Sequence, residues 1–599
     1  MVREFSFSFG FRKIEEDNLS YQERQSRLIY RTIVIMLLTT TIIGLQVTRL
    51  AQLQLIQGKQ NRERAENNRI RPIPVPSNRG VILDRNGKAF ASNRLTRSIY
   101  LWPKEQPKEQ WKITAAKLSP IINVPADKIF EKVEQAITSG ERNIYLTYQV
   151  SRDTFITLQE RAEEFPGLEI RAESTRYYPH GQLASHIIGY LGEVTLEELQ
   201  ANPEYQMRMM VGRIGVEASA NDVLAGKWGQ RLIEVNAQNR EIRLFAEEEP
   251  QGGKTVKLTL DLDLQKTAEK ALGFRKGAVV ALDVNTGEVL AMASYPRFNP
   301  NVFTKPMLEK EWQALHNKEQ SFLNRALQGY PPGSTFKMVT SAAAMGSGKF
   351  SPYSIVQTSD SIYVGGISFN EHSGGYGAIG FRTALAYSSN TFFYLVGLTI
   401  GHAEISKWAY KLGLGGKNLN LLGIPATYNG LIPTEEDKRQ IYNDAWYLGD
   451  TITMAIGQGL VLVTPLELAA AVAAIANGGK EVKPHLLADE TNSPEMKPIP
   501  TGLKPEYVKA IKEGMIDVVY YGTARSLYDG TIPLTGGKTG TSEIIGQRSH
   551  SLYVGFGPAY RSKIAIAVIV ENGGYGSVAA APVAKQVFQT YFRKYSQVQ

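Results

Sequence analysis

Tyr330-Pro331-Pro332-Gly333-Ser334-Thr335-Phe336-Lys337, running without a break into Met338 to Met345, is the stretch that decides the fold. Two prolines and a glycine ahead of an apolar run end whatever precedes them and put Ser334 in the first turn of a helix. Unpaired backbone N–H groups and the positive end of the helix dipole then face whatever its hydroxyl attacks. Lys337 follows one turn later on the same face. A serine hydroxyl becomes a nucleophile when a base takes its proton, and a lysine serves as that base once burial or a neighbouring cation lowers its pKa from about 10.4. The apolar residues flanking Lys337 are suited to such burial. Alone, Ser-x-x-Lys is weak: about two are expected by chance in a chain this long, and an N-cap serine with a solvated lysine explains one equally well.

Two further clusters change the odds. Ser388-Ser389-Asn390 precedes the apolar run Thr391 to Val396, offering a hydroxyl to relay a proton and an amide to orient Lys337 and bind a substrate amide. By itself this tripeptide reads as an ordinary helix cap. Lys538-Thr539-Gly540-Thr541 lies on a strand expected near the C-terminus, where Gly540 removes a side chain so that a substrate backbone can approach. In this order, at two helix starts and an edge strand, the three resemble the set Ser-x-x-Lys, Ser-x-Asn, Lys-Thr-Gly of penicillin-binding proteins and class A β-lactamases.

Outside these motifs, length and composition set the frame. A chain of 599 residues, 43% of them hydrophobic, has room for about four domains and a sizeable core. The 67 Lys and Arg against 58 Asp and Glu leave a net charge of +9, a mild basic bias that is no nucleic-acid footprint. With no cysteine there is no disulfide, thiolate nucleophile or Cys-ligated metal. From Thr32 to Thr48 run 17 uncharged residues, extended to about a bilayer thickness by Leu28, Ile29 and Tyr30 with Arg31 able to snorkel. The run lacks a small-x-small cleavage pattern, so it reads as an uncleaved single-pass anchor over 28–48. Arg24, Arg27 and Arg31 crowd its N-terminal flank, which sets 1–27 in the cytoplasm and everything after about 49 outside.

The remaining organisation follows from breaks in pattern. Residues 49–78 read as a helix leaving the membrane and then an extended Pro72, Pro74, Pro76 linker without ladder bonds. Residues 79–250 are mixed in character, and Glu247 to Gly253 marks the break before a unit at 251–599. In that unit Ala278 to Asp283 and Glu288 to Ser294 form a hairpin over Asn285-Thr286-Gly287, and strands recur at Gly537 to Glu543, Leu552 to Gly557 and Ile564 to Glu571. Strands at both ends with helices between predict an α+β fold, an antiparallel sheet covered by helices.

The resemblance extends from about residue 20 onward. Arg79-Gly80 with Asp84 to Gly87, Arg176 to Pro179 with His186, Gly189 and Tyr190, and Gly212-x-x-Gly215-x-Glu217 look like the pedestal motifs of class B penicillin-binding proteins. Trp446 to Asp450, Ile456 to Gly459 and Thr464-Pro465-Leu466 look most like the elongation type. The resemblance implies a transpeptidase domain at 251–599 on an elongated mixed α/β pedestal at 79–250, bound to an inner membrane by one helix. It implies peptidoglycan stem peptides and β-lactams as ligands, a polytopic glycan polymerase and other elongation proteins as partners, and no nucleic acid, cofactor or metal. Some relatives bind zinc here with a cysteine ligand, and without one Asp360, Glu371 and His372 read as loop residues. By the resemblance Ser334 attacks, Lys337 is its base, Ser388 relays a proton, Asn390 binds the donor amide, and Thr539, Gly540 and Thr541 receive the terminal carboxylate beside Lys538. The N–H groups of Ser334 and Thr541 would form the oxyanion hole. Alternatives sharing the triad are a division-type enzyme, a β-lactamase or β-lactam sensor, and a scaffold that activates a partner polymerase.

Overall fold

The structure is a computed structural model describing residues 21–62, 70–139, 143–147, 150–235, 241–305, 320–416 and 430–595, with isolated positions at 141, 312, 313, 315 and 421. The expected cytoplasmic tail lies outside the described residues up to position 20, as do 63–69 of the juxtamembrane segment. The chain divides into two compact units, Met1–Val75 with Gly229–Glu249, and Pro76–Trp228 with Pro250–Gln599.

The first unit carries the helix Tyr21–Ala51, which continues as a π-helical turn at Gln52–Ile56. Among the described residues it is the one helix long and apolar enough to cross a membrane. Thr32, Thr39, Thr41 and Thr48 each return their hydroxyl to the carbonyl four residues back, which satisfies the polar atoms of an otherwise apolar surface. The linker expectation is corrected here. Ile70–Val75 is a strand, paired antiparallel with Gly229–Val235, which pairs in turn with Glu241–Glu248. It is an edge strand of this sheet, and Pro72 and Pro74, two apart, both turn their missing N–H to the free side.

In the second unit the long strand Ala89–Leu101 pairs with Leu168–Tyr177, and the helices Lys108–Ile122 and Ala126–Ser139 close a local core around Trp111, Leu118, Ile129, Val133 and Phe165. Nearer the main body, Ile82, Tyr178, Ile187 and Val216 join Leu258 and Leu260 in a shared core, and Ile82–Leu83 pairs in parallel with Val256–Lys257.

The main body is built from α1 (Leu262–Leu272), β1 (Gly277–Asp283), β2 (Val289–Tyr295), α2 (Lys337–Gly346), α3 (Phe381–Tyr387), α4 (Asn390–Ile400), α5 (Pro465–Ala476), α6 (Pro505–Tyr520), β3 (Gly536–Ile544), β4 (Gln547–Gly557), β5 (Ile564–Val570) and α7 (Gly576–Tyr595). The sheet runs β2-β1-β5-β4-β3, antiparallel throughout. Period-two alternation divides its side chains between two cores: Val279, Ala281, Ile566 and Val568 pack with Leu264, Ala268 and Phe588 on one face, while Ala278, Val280, Ala567 and Ile569 pack with the α5 alanines on the other. Both faces are buried, so the strands read as continuous apolar runs. The β3 strand is left at the edge, beside the turn that opens α2.

Candidate active site

Four pieces of chain converge at that edge. The turn Gly333–Phe336 leads into α2, with Ser334 half-buried and its carbonyl bonded to the N–H of Lys337. Gly333 has a φ of +54°, and a Cβ there would lie 2.6 Å from the Thr541 carbonyl oxygen, so only glycine lets the serine turn sit on β3. The same holds in reverse at Gly540, whose Cβ would meet Thr335 Cγ2 at 2.8 Å and the Pro332 carbonyl at 3.0 Å. This corrects the expected role of Gly540, because the space its missing side chain leaves is filled by the protein's own turn.

Lys337, the first residue of α2, has no exposed surface. Its Nζ donates to the Ser388 carbonyl at 2.7 Å, to Asn390 Oδ1 at 2.7 Å and to Ser388 Oγ at 3.4 Å. From the opposite side Lys538 Nζ, equally enclosed, donates to the same Ser388 hydroxyl at 2.7 Å and to the Thr539 carbonyl at 3.1 Å. One serine oxygen therefore joins two lysines. Burial pushes the Lys337 ammonium down to about 7, against the opposing charge of Glu371. Burial, and then Lys337 itself, push Lys538 well below the usual lysine range. Two ammonium groups sharing one hydroxyl titrate as a coupled pair.

Ser388 occupies the link between α3 and α4 in the left-handed conformation, at φ +61°, a strained setting for a residue with a side chain. Asn390 opens α4, its amide oxygen turned to Lys337. Thr539 is buried with its hydroxyl 2.7 Å from that of Thr523, and Thr541 is half-buried with its carbonyl accepting from Gln458 Nε2 at 3.2 Å. As the sheet edge, β3 offers its outer side to an extended chain.

Sequence reasoning missed three members of this surround. Thr523 reaches β3 from a remote segment with no local signal of its own, and Gln458 belongs to the Ile456 to Gly459 stretch, whose likeness gave no hint of a contact with β3. Glu371, read as a loop residue, is instead a buried carboxylate under the Ser388–Asn390 link, with Ser389 Oγ donating to it at 2.7 Å and the Asn390 N–H at 2.8 Å.

Comparison with known proteins follows these features. The family described as the penicillin binding protein transpeptidase domain matches residues 277–589, and the penicillin-binding protein dimerisation domain matches 74–258. The peptidoglycan D,D-transpeptidase MrdA of Acinetobacter baumannii is 33% identical, the alignment covering 94% of this chain and 88% of that protein. The penicillin-binding protein PBP2 of Helicobacter pylori, solved as a complex with MreC, is similar with a TM-score of 0.76 and 27% identity over 88% of this chain and 99% of that one. A chain of a peptidoglycan synthase complex that coordinates polymerization and crosslinking is similar with a TM-score of 0.72 and 32% identity, over 94% of this chain and 98% of that one.

Proposed function

The chain belongs to the penicillin-binding protein transpeptidases, and from that premise we propose that it is a single-pass membrane enzyme that cross-links peptidoglycan stem peptides through a serine acyl-enzyme during wall elongation. The observation that carries the reading is the meeting of Lys337, which follows Ser334 by one turn, and Lys538 on Ser388 Oγ. A buried lysine brought down to about 7 is the base a serine hydroxyl needs at neutral pH.

In this reading Ser334 Oγ bonds to the carbonyl carbon of the penultimate D-alanine while its proton passes to Lys337. The C–N bond to the terminal D-alanine then breaks, and the departing amine takes a proton through Ser388. Asn390 binds the donor amide through its Nδ2. The incoming carboxylate lies by Thr539 and Thr541 and recharges Lys538, since an opposite charge raises a depressed ammonium pKa. The N–H groups of Ser334 and Thr541, on backbones packed together through Gly333, stabilise the oxyanion. An amine from a second strand resolves the ester and completes the cross-link. Residues 79–250 serve as the pedestal and 251–599 as the transpeptidase, outside the membrane, with Arg24, Arg27 and Arg31 on the cytoplasmic side. A glycan polymerase and other elongation proteins are its partners in this reading, which is supported by the similar PBP2 solved with MreC and by the similar chain of a peptidoglycan synthase complex that coordinates polymerization and crosslinking.

The test is labelling of the full chain in membranes by a fluorescent penicillin. Stable labelling that Ser334→Ala abolishes supports the reading. Labelling of the Ser334→Ala protein, or rapid turnover of the label as in a β-lactamase, overturns it.

A further inference from the structure

The link that carries Ser388 and Asn390 hangs from a carboxylate that the reaction as described does not use. Glu371 follows the surface hairpin Ser361–Val364 and Ile367–Asn370, and its side chain has no exposed area. Oε2 accepts from Ser389 Oγ at 2.7 Å, from the Thr391 N–H at 2.9 Å and from Thr391 Oγ1 at 2.9 Å. Oε1 accepts from the Asn390 N–H at 2.8 Å and the His372 N–H at 3.0 Å, with His372 Nδ1 at 2.7 Å. The Glu371 N–H is itself fixed, donating to the Asp360 carbonyl at 2.8 Å.

The first two N–H groups of α4 and both hydroxyls flanking Asn390 thus end on one charged group. Bonds to an ionised acceptor are shorter and stronger than neutral ones, and a negative charge at a helix N-terminus also meets the dipole favourably. The strain at Ser388 needs such an anchor, because a non-glycine residue in the left-handed region persists only where its surroundings over-determine it. We propose that Glu371 is the positioning residue of the active site: through its charge it holds the Ser388–Asn390 link in the strained form that presents Ser388 Oγ, the Ser388 carbonyl and Asn390 Oδ1 to Lys337. The inference rests on the acyl-enzyme reading above. A side chain that only filled this space could be replaced by the neutral amide of the same shape, so a purely space-filling role and a positioning role part company over charge.

The groups facing Lys337 are Lys538 from β3, Glu371 from below the link, the neutral Ser388 and Asn390, and the Phe393 ring of α4 at 5.6 Å. Facing Glu371 are His372 and, at longer range, Lys337 and the phenols of Tyr376 and Tyr394. Burial pushes the Glu371 carboxyl up, but the bonds from His372, Asn390, Ser389 and Thr391 outweigh it and hold the group ionised. Its negative charge favours the protonated form of Lys337, so removing it makes that lysine easier to deprotonate. The acid limb of the acylation profile then moves to lower pH even as the rate falls.

The experiment compares acylation by a fluorescent penicillin across pH for the full-length wild type, Glu371→Gln and Glu371→Asp. Glu371→Gln is expected to lower the plateau rate at least tenfold and to shift the acid limb downward. Glu371→Asp, which keeps the charge with shorter reach, is expected to recover part of the rate with the limb in its original place. A Glu371→Gln rate within about twofold of wild type, or a limb that does not move, overturns the proposal. If Glu371→Gln does not fold, Thr391→Val removes one donor at nearly constant volume, with about a threefold loss expected and an unchanged rate overturning the idea. Labelling of the wild type that depends on Ser334 separates failure here from failure of the acyl-enzyme reading.

Discussion

Two of the second unit's buried charge clusters are built to opposite ends. In the pedestal region Glu217 is enclosed between Arg79, whose Nε donates at 2.7 Å, and Arg176, whose Nε donates at 2.7 Å, with Tyr178 Oη at 3.1 Å. Arg79 also bonds the Glu217 carbonyl and Asn221 Oδ1, and Arg176 bonds the Gly80 carbonyl. At the active site the buried cations are lysines, they face each other across a serine, and their carboxylate stands one layer back. A guanidinium keeps its proton at any working pH and forks rigidly onto carboxylate and carbonyl, so the arginine cluster is a fixed joint. An ammonium group buried without a carboxylate in contact gives up its proton more easily, so the lysine cluster is a store of reactivity. The choice of cation decides whether a buried charge holds the structure or does chemistry.

The sharpest way to break this contrast is to make the base resemble the joint. Lys337→Arg puts a group with a pKa above about 12 where a proton acceptor is needed. Acylation by a fluorescent penicillin should fall by about a thousandfold or more at every pH, as when a base essential to a serine nucleophile is removed. The wild type should lose activity below about pH 7 as Lys337 protonates. A Lys337→Arg protein that acylates at even a tenth of the wild-type rate would show that the base lies elsewhere.

Breaking the joint should do the reverse. Glu217→Ala leaves two permanent cations side by side without a counter-charge, and loss of one partner from a buried pair typically removes about 3–5 kcal/mol of stability. Denaturant unfolding should register that loss, while the acylation rate per folded molecule stays near wild type. A mutant as stable as the parent would mean that water or neighbouring carbonyls already balance the arginines.

How much of each network the sequence disclosed follows from how local it is. Ser334 and Lys337 lie within one turn, Ser388 and Asn390 are two apart, and Lys538 to Thr541 are contiguous, so each motif was legible and their order supplied the rest. The sheet was legible because apolar runs at Ala278, Leu552 and Ile564 need cover on both faces. Glu371 was not, because a hairpin sits before it and its donors on the Ser389–Thr391 link lie 18 to 20 residues further on, a separation no periodicity reports. Pro72 and Pro74 misled for the opposite reason. Their local rule forbids ladder bonds, but it does not forbid a strand with one free side. Gly540 was found by motif and misread in setting, since the turn packed on it is not written in a tripeptide.

Lys538 supplies the finest test, because it differs from both networks: in the proposed reaction it is a lysine recharged when substrate binds. Lys538→Arg keeps a cation and adds volume at a site with no exposed surface, where overpacking costs about 1–3 kcal/mol. The geometry toward Ser388 shifts and the plateau acylation rate should fall about tenfold, far less than for Lys337→Arg. The sign of the pH effect is the informative part. In the wild type, burial and the neighbouring Lys337 push the Lys538 pKa down, which disfavours a charge facing Lys337. A guanidinium repels it at every pH, which pushes the Lys337 pKa further down, so the acid limb should begin below its wild-type position near pH 7. Rate against pH with a fluorescent penicillin measures both quantities in one series. A limb that stays in place would mean that Lys538 is already fully charged in the free enzyme, and one that rises would mean that the two side chains no longer face each other across Ser388.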